Sequence, residues 1–198
     1  MPRAFTEQER AHILAALHDA AAEAMQGRGL RKTSVAALCA AAGISKGAFY
    51  GFYDGKEALA VAVLREAEAA LRAELLVALG DPDPLRVVLE VLFEQAPRRP
   101  QLALLVRPEE LQWLVRSLPP GAMEDAQADD DAWFTQLFDR LAALGAVHSS
   151  QRSAFLGVPG AAMALAHGSV LLGAHGDAAR RAMVGGLRRE LAAPASGG

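Results

Sequence analysis

The chain has 198 residues, is 52% apolar by the broad count, carries a formal charge of −3 and contains one cysteine, Cys39. That apolar fraction is enough to bury a core and excludes a disordered polymer, while a single cysteine excludes an internal disulfide framework. Ala and Leu dominate, β-branched residues are sparse, and no alternating run competes with the helical period, so the expected class is all-α.

The charge is uneven. Residues 1–56 hold seven Lys/Arg against five Asp/Glu, and residues 57–198 hold thirteen against eighteen. All three lysines, Lys32, Lys46 and Lys56, fall in the first part, where they concentrate the attraction for phosphate. No secretory signal precedes the first amphipathic segment, so a cytoplasmic location is expected.

In chain order, Thr6-x-x-Glu9 predicts a capping box that opens a helix through about Gln26, with Ile13, Leu14, Leu17, Ala21, Ala24 and Met25 inward. Gly27-Arg28-Gly29 stops it. Arg28, Arg31 and Lys32 make the connection basic, which suits either a DNA backbone or plain solvent. Thr33 or Ser34 can cap the next helix, which places Val35, Leu38, Cys39 and Ala42 on one face. Gly43 supplies the left-handed turn, Ile44 fills the angle, and Ser45 caps a helix that begins Lys46-Gly47-Ala48. Phe49 and Tyr53 should face inward, with Lys46 and Tyr50 on the exposed side. Asp54-x-x-Glu57 reads as a second capping box.

The run Thr33-x-Val35-x-x-Leu38-x-x-Ala41-Ala42-Gly43-Ile44-Ser45-Lys46-Gly47-x-Phe49-Tyr50-x-x-Tyr53-x-x-Lys56-Glu57-x-Leu59 resembles the DNA-binding signature of TetR/AcrR-family transcriptional regulators. The resemblance covers about the first 60 residues. It implies an N-terminal three-helix helix-turn-helix domain, residues 1–56, joined to a C-terminal helical ligand-binding and dimerisation domain, residues 57–198. It also implies a homodimer on a palindromic operator in double-stranded DNA, acting as a repressor released by a small hydrophobic ligand. The DNA-binding set is Thr33, Ser34, Ser45, Lys46, Gly47, Ala48, Tyr50 and Lys56. Gly51 follows Tyr50 where the family commonly has a large residue, and Ala48 stands where Thr or Ser is frequent. With fewer side chains able to reach base edges, phosphate contacts and DNA shape are expected to carry more of the affinity, with Lys46 the main candidate for a base contact.

Beyond the motif, one helix should run from Glu57 to about Leu79. Gly80-Asp81-Pro82-Asp83-Pro84 breaks the chain, with Asp83 capping and Pro84 first in a helix to about Ala96. Pro97-Arg98-Arg99-Pro100 interrupts, followed by short helices over Gln101–Val106 and Pro108–Ser117. Residues 122–144 should form a long helix in which Asp129-Asp130-Asp131 splay apart, a poor metal site and a good solvated cluster. Phe155–Ala174 is uncharged over nearly a membrane span. Its glycines, Pro159 and His167 favour a buried helix instead, with a small-residue face of Gly160, Ala164 and Gly168 suited to a dimer interface. A last helix follows from Asp177 to about Ala192, then a tail from Pro194.

An apolar ligand cavity in the C-terminal domain would draw on Phe93, Trp113, Phe134, Phe138, Met163 and His167, large apolar groups with few polar partners. The five histidines fall in no metal-ligand spacing, and neither a glycine loop after a strand nor a nucleophile elbow is present, so no cofactor, no metal and no enzyme are expected. The alternative is a helical small-molecule-binding or interaction protein that has lost operator binding.

Overall fold

The structure is a computed structural model that describes residues 5–105 and 107–192. It is all-α, and among the described residues the only sheet-like feature is an isolated bridge between Val147 and Ala192. The chain divides into two compact units. One runs to Ala69 and takes up Arg99–Ser117, and the other comprises Ala70–Arg98 with the chain from Leu118 onward.

The first unit opens with α1, Glu7–Gln26. Thr6 accepts the Glu9 N–H while the Glu9 carboxylate accepts the Thr6 N–H at 2.7 Å, which satisfies donors the helix itself cannot. These bonds also hold the Glu9 carboxyl below the usual glutamate range, the Thr6 backbone N–H contributing most. Ile13, Leu17, Ala21 and Met25 form its buried stripe. The short helices α2, Val35–Ala41, and α3, Lys46–Phe49, follow. Helix α4, Lys56–Val77, begins in this unit and ends in the other. It opens one residue later than an Asp54 cap requires, since the Gly55 carbonyl accepts the Leu59 N–H, so Gly55 rather than Asp54 precedes its first turn.

The same unit includes a 3-10 turn at Pro100–Leu104, packed on α1, and α6, Pro108–Ser117. The turn falls where a short helix is expected over Gln101–Val106, whose last residue lies outside the described ones.

In the second unit, Asp83 accepts the Arg86 N–H and Pro84 leads α5, Pro84–Glu90. The expected continuation to Ala96 leaves α geometry. Val91–Gln95 is a π turn and Ala96–Arg98 a 3-10 turn, because Pro97 has no N–H to give and its ring crowds the preceding turn. Helix α7 is Ala122–Ala143. The uncharged stretch is split at Gly157 into α8, Arg152–Leu156, and α9, Val158–Leu172. Phe155, Val158 and Ala162 face the core, while Gly160 and Ala164 are exposed. Helix α10, Gly176–Leu191, closes the unit. The tail from Pro194 lies outside the described residues. Among the described residues no helix is long and apolar enough to cross a membrane.

Candidate nucleic-acid interface

The site begins with two serine caps and one glycine. Ser34 accepts the Ala37 N–H and Ser45 the Ala48 N–H, each at 3.1 Å, so each short helix has one otherwise orphaned donor satisfied. Between them Gly43 takes φ +67°, a left-handed backbone that a side chain would strain. Phe49 is 0% exposed, and full burial of a side chain of this kind stabilises by about 1.5–3 kcal/mol. It packs near Tyr53, the ring centroids 6.1 Å apart.

With Phe49 anchored, the opposite side of α3 is presented to solvent. Lys46 and Gly47 are exposed, Ala48 is half-buried, and Tyr50 is 51% exposed, its ring edge-on to Phe49 at 5.4 Å. Behind α3, the Tyr53 hydroxyl donates to His18 Nε2 at 2.6 Å and His18 Nδ1 donates to Glu66, a relay from α1 to α4. Burial, and after it the Glu66 charge, pushes the Tyr53 phenol up. Burial likewise pushes up the Cys39 thiol.

Thr33 and Lys56 occupy a different setting from the other expected DNA contacts. Thr33 is 5% exposed, and its hydroxyl donates to the Gly29 carbonyl at 2.9 Å. The Lys56 ammonium donates to the carbonyls of Leu30 at 3.3 Å, Thr33 at 3.2 Å and Arg31, and lies 5.2 Å from the centre of the Trp113 ring. Trp113, expected in a ligand cavity, is therefore a cation–π partner inside the first unit.

Sequence reasoning did not find the contacts made by the polar groups at the start of α6. Arg107 donates to the carbonyls of Gly27 at 2.7 Å and Gln26 at 2.6 Å, and Glu110, only 1% exposed, accepts the Arg31 N–H at 2.9 Å. Gly29 has φ +98°, and a Cβ there would collide with the Glu110 carboxylate. The one sequence signal was the Gly27-x-Gly29 pair, since a glycine after a helix end can mark a close approach.

The other cavity candidates lie in the second unit. Phe93 and Phe138 are sealed in its core, Phe134 and Met163 are half-buried, and His167 is exposed with Nδ1 donating to the Met163 carbonyl at 2.9 Å. An open groove of about 610 Å³ is lined instead by residues that include Ala73, Val77, Pro82, Val87 and Val91. Among the described residues no cluster of three or more His, Cys, Asp or Glu could hold a metal ion.

A capped helix-turn-helix within an all-helical chain is the layout of a bacterial DNA-binding regulator. Residues 17–63 match the family described as bacterial regulatory proteins, tetR family. A TetR-family transcriptional regulator from Pectobacterium atrosepticum superposes with TM-score 0.67 at 23% identity, covering 94% of this chain and 96% of that one. A second, from a Rhodococcus species, gives 0.70 at 18% identity, covering 92% and 100%. The fatty acid degradation regulator FadR from Bacillus halodurans gives 0.66 at 15% identity, covering 94% and 95%. No curated protein sequence matches the chain. The chain thus carries a tetR-family DNA-binding domain on the fold of TetR-family transcriptional regulators.

Proposed function

We propose that the protein is a transcriptional repressor that binds a palindromic operator as a homodimer and is released by a small hydrophobic ligand. The observation that carries the DNA-binding part is the pairing, on α3, of a fully buried Phe49 with exposed Lys46 and Tyr50. Lys46 reaches base edges or phosphates, Tyr50 stacks on or bonds to the backbone, and Gly47 and Ala48 let the helix approach closely. With so few side chains offered, sequence preference rests on Lys46 and on DNA shape. Ser34 and Ser45 add hydroxyls whose first task is capping.

The exposed Gly160 and Ala164 support a dimer contact on α9, since small residues let a second helix come near. For the ligand, Phe134 and Met163 at the edge of the second core are the reachable members of the candidate set. Fatty acids are a fitting first probe, because one fold relative regulates fatty acid degradation.

The test is enrichment of duplexes from a randomised pool by the full chain, followed by gel shift of the winner with and without fatty acids. Lys46→Ala should weaken binding by about 1–3 kcal/mol, most at the base pairs it contacts, with stability unchanged. Failure to enrich any duplex with salt-sensitive affinity would sink the DNA-binding reading. Light scattering that gives a monomer at micromolar concentration would sink the dimer.

A further inference from the structure

The loop between α1 and α2 is held more firmly than a surface connection requires. Its backbone is gripped from two directions by groups distant in sequence. Arg107, just before α6, and Glu110, in its first turn, bind Gln26, Gly27 and Arg31, while Lys56 at the start of α4 binds the carbonyls of Leu30, Arg31 and Thr33. Thr33 closes the loop internally on Gly29.

Burying a carboxylate is costly, and an apolar residue would fill the place of Glu110 without that cost. What the carboxylate adds is a fixed acceptor for the Arg31 N–H. The side chains carried on this fixed backbone are cations. Arg31 and Lys32 are both exposed, and among the described residues neither has an ion-pair partner. Holding a loop in one conformation removes the cost of ordering it from any binding event that uses it.

We propose that this loop is a second DNA contact, in which Arg31 and Lys32 grip phosphates while Glu110, Arg107 and Lys56 act as positioning residues. The proposal rests on the DNA-binding reading above. It also reverses the role expected for Lys56, whose ammonium is already shared among three carbonyls and the face of Trp113. The phosphate contact expected of Lys56 passes to the neighbouring loop that it holds in place. Glu110 acts against this contact through its charge and for it through its geometry, so its two obvious variants should diverge.

The experiment uses the full chain and the duplex that the wild type enriches, with affinity measured across a salt series. Each phosphate contact contributes about 0.9 to the slope of log affinity against log salt. The double variant Arg31→Ala/Lys32→Ala should therefore lower the slope by about 2 per bound copy, with thermal stability and preferred sequence unchanged. Glu110→Ala should weaken binding roughly tenfold and lower the slope. Glu110→Gln keeps the acceptor and removes the charge, and should bind as well as the wild type or tighter. Adding Lys56→Met to the double variant should leave the slope where it was. An unchanged slope in Arg31→Ala/Lys32→Ala overturns the loop contact, and a further fall of about 0.9 with Lys56→Met overturns the positioning role of Lys56. Equal losses in Glu110→Ala and Glu110→Gln overturn the role given to the acceptor. A wild type that enriches no duplex defeats the DNA-binding reading and this proposal together, whereas a binding wild type with an indifferent loop defeats the loop alone.

Discussion

In the first unit the decisive contacts are polar and distant in sequence: Glu110 to Arg31, Lys56 to three carbonyls, His18 to both Tyr53 and Glu66. The second unit is closed by an apolar mass that runs through Leu85, Val88, Leu89, Phe93, Phe138, Leu141 and Phe155. Ion pairs such as Arg188 with Asp83 and Arg152 with Asp139 sit at its surface, where such pairs contribute about 0–1 kcal/mol. A polar clasp fixes orientation, because each bond fails when its geometry slips. An apolar core fixes compactness and tolerates exchange of one hydrocarbon for another. The difference fits a head that must present α3 at one angle and a body that must stay folded.

The comparison breaks first, and with the largest effect, at Phe138. Its ring is buried, 5.6 Å from that of Phe155 and under the Arg152 guanidinium. Phe138→Ala should destabilise the protein by about 3–5 kcal/mol in a urea titration, whereas Phe138→Leu should cost clearly less. If the two variants lost the same amount, the core would be specific in shape rather than merely apolar.

The counterpart in the head is Thr33→Val, which keeps shape and volume and removes one hydroxyl. The Gly29 carbonyl loses its partner, and the expected cost is about 1–3 kcal/mol by the same titration, with weaker duplex binding. A variant as stable as the wild type would show that the Thr33 hydroxyl is not part of what holds the clasp. Ser45→Ala comes next. Losing the cap on α3 should cost about 1 kcal/mol, and Ser45→Asn or Ser45→Asp should recover most of it in thermal melts, because either side chain offers an acceptor at the same position.

The two halves of this comparison were not equally legible in the sequence. Core residues of the body, and Phe49 in the head, announce themselves by periodicity, and the caps at Thr6, Ser34, Ser45 and Asp83 by residue type at a helix start. Glu110 carried no such mark. An acid in the first turn of a helix is ordinarily a solvated favourable charge, and only the fold brings it to Arg31, 79 positions earlier. The same limit hid the setting of Trp113, whose ring faces a lysine more than fifty residues upstream. Asp54 failed for a local reason: Gly55 can take the start of α4 without a side-chain cap, so the box pattern was satisfied in letters and not in geometry.

The smallest expected effect concerns pH. The Tyr53 phenol is raised above its ordinary value of 10.0, first by burial and then by the Glu66 charge. A group raised on folding contributes stability that is complete below the unfolded value and is lost as pH climbs through the folded one, because the unfolded chain releases its proton first. The head should therefore soften above about pH 10, and Tyr53→Phe should flatten that alkaline limb. The same variant should lose about 1 kcal/mol at neutral pH, when the hydroxyl no longer donates to His18. Cys39 acts in the same direction from its ordinary value of 9.0, also raised by burial, so the scan belongs in a Cys39→Ala background. Thermal melts from pH 8 to 11.5 separate the two contributions. An alkaline limb as steep with Phe at position 53 as with Tyr would mean that the relay from Tyr53 through His18 to Glu66 of α4 adds no stability that ionisation removes, and that the head is seated by Phe49 and the clasp at α6 alone.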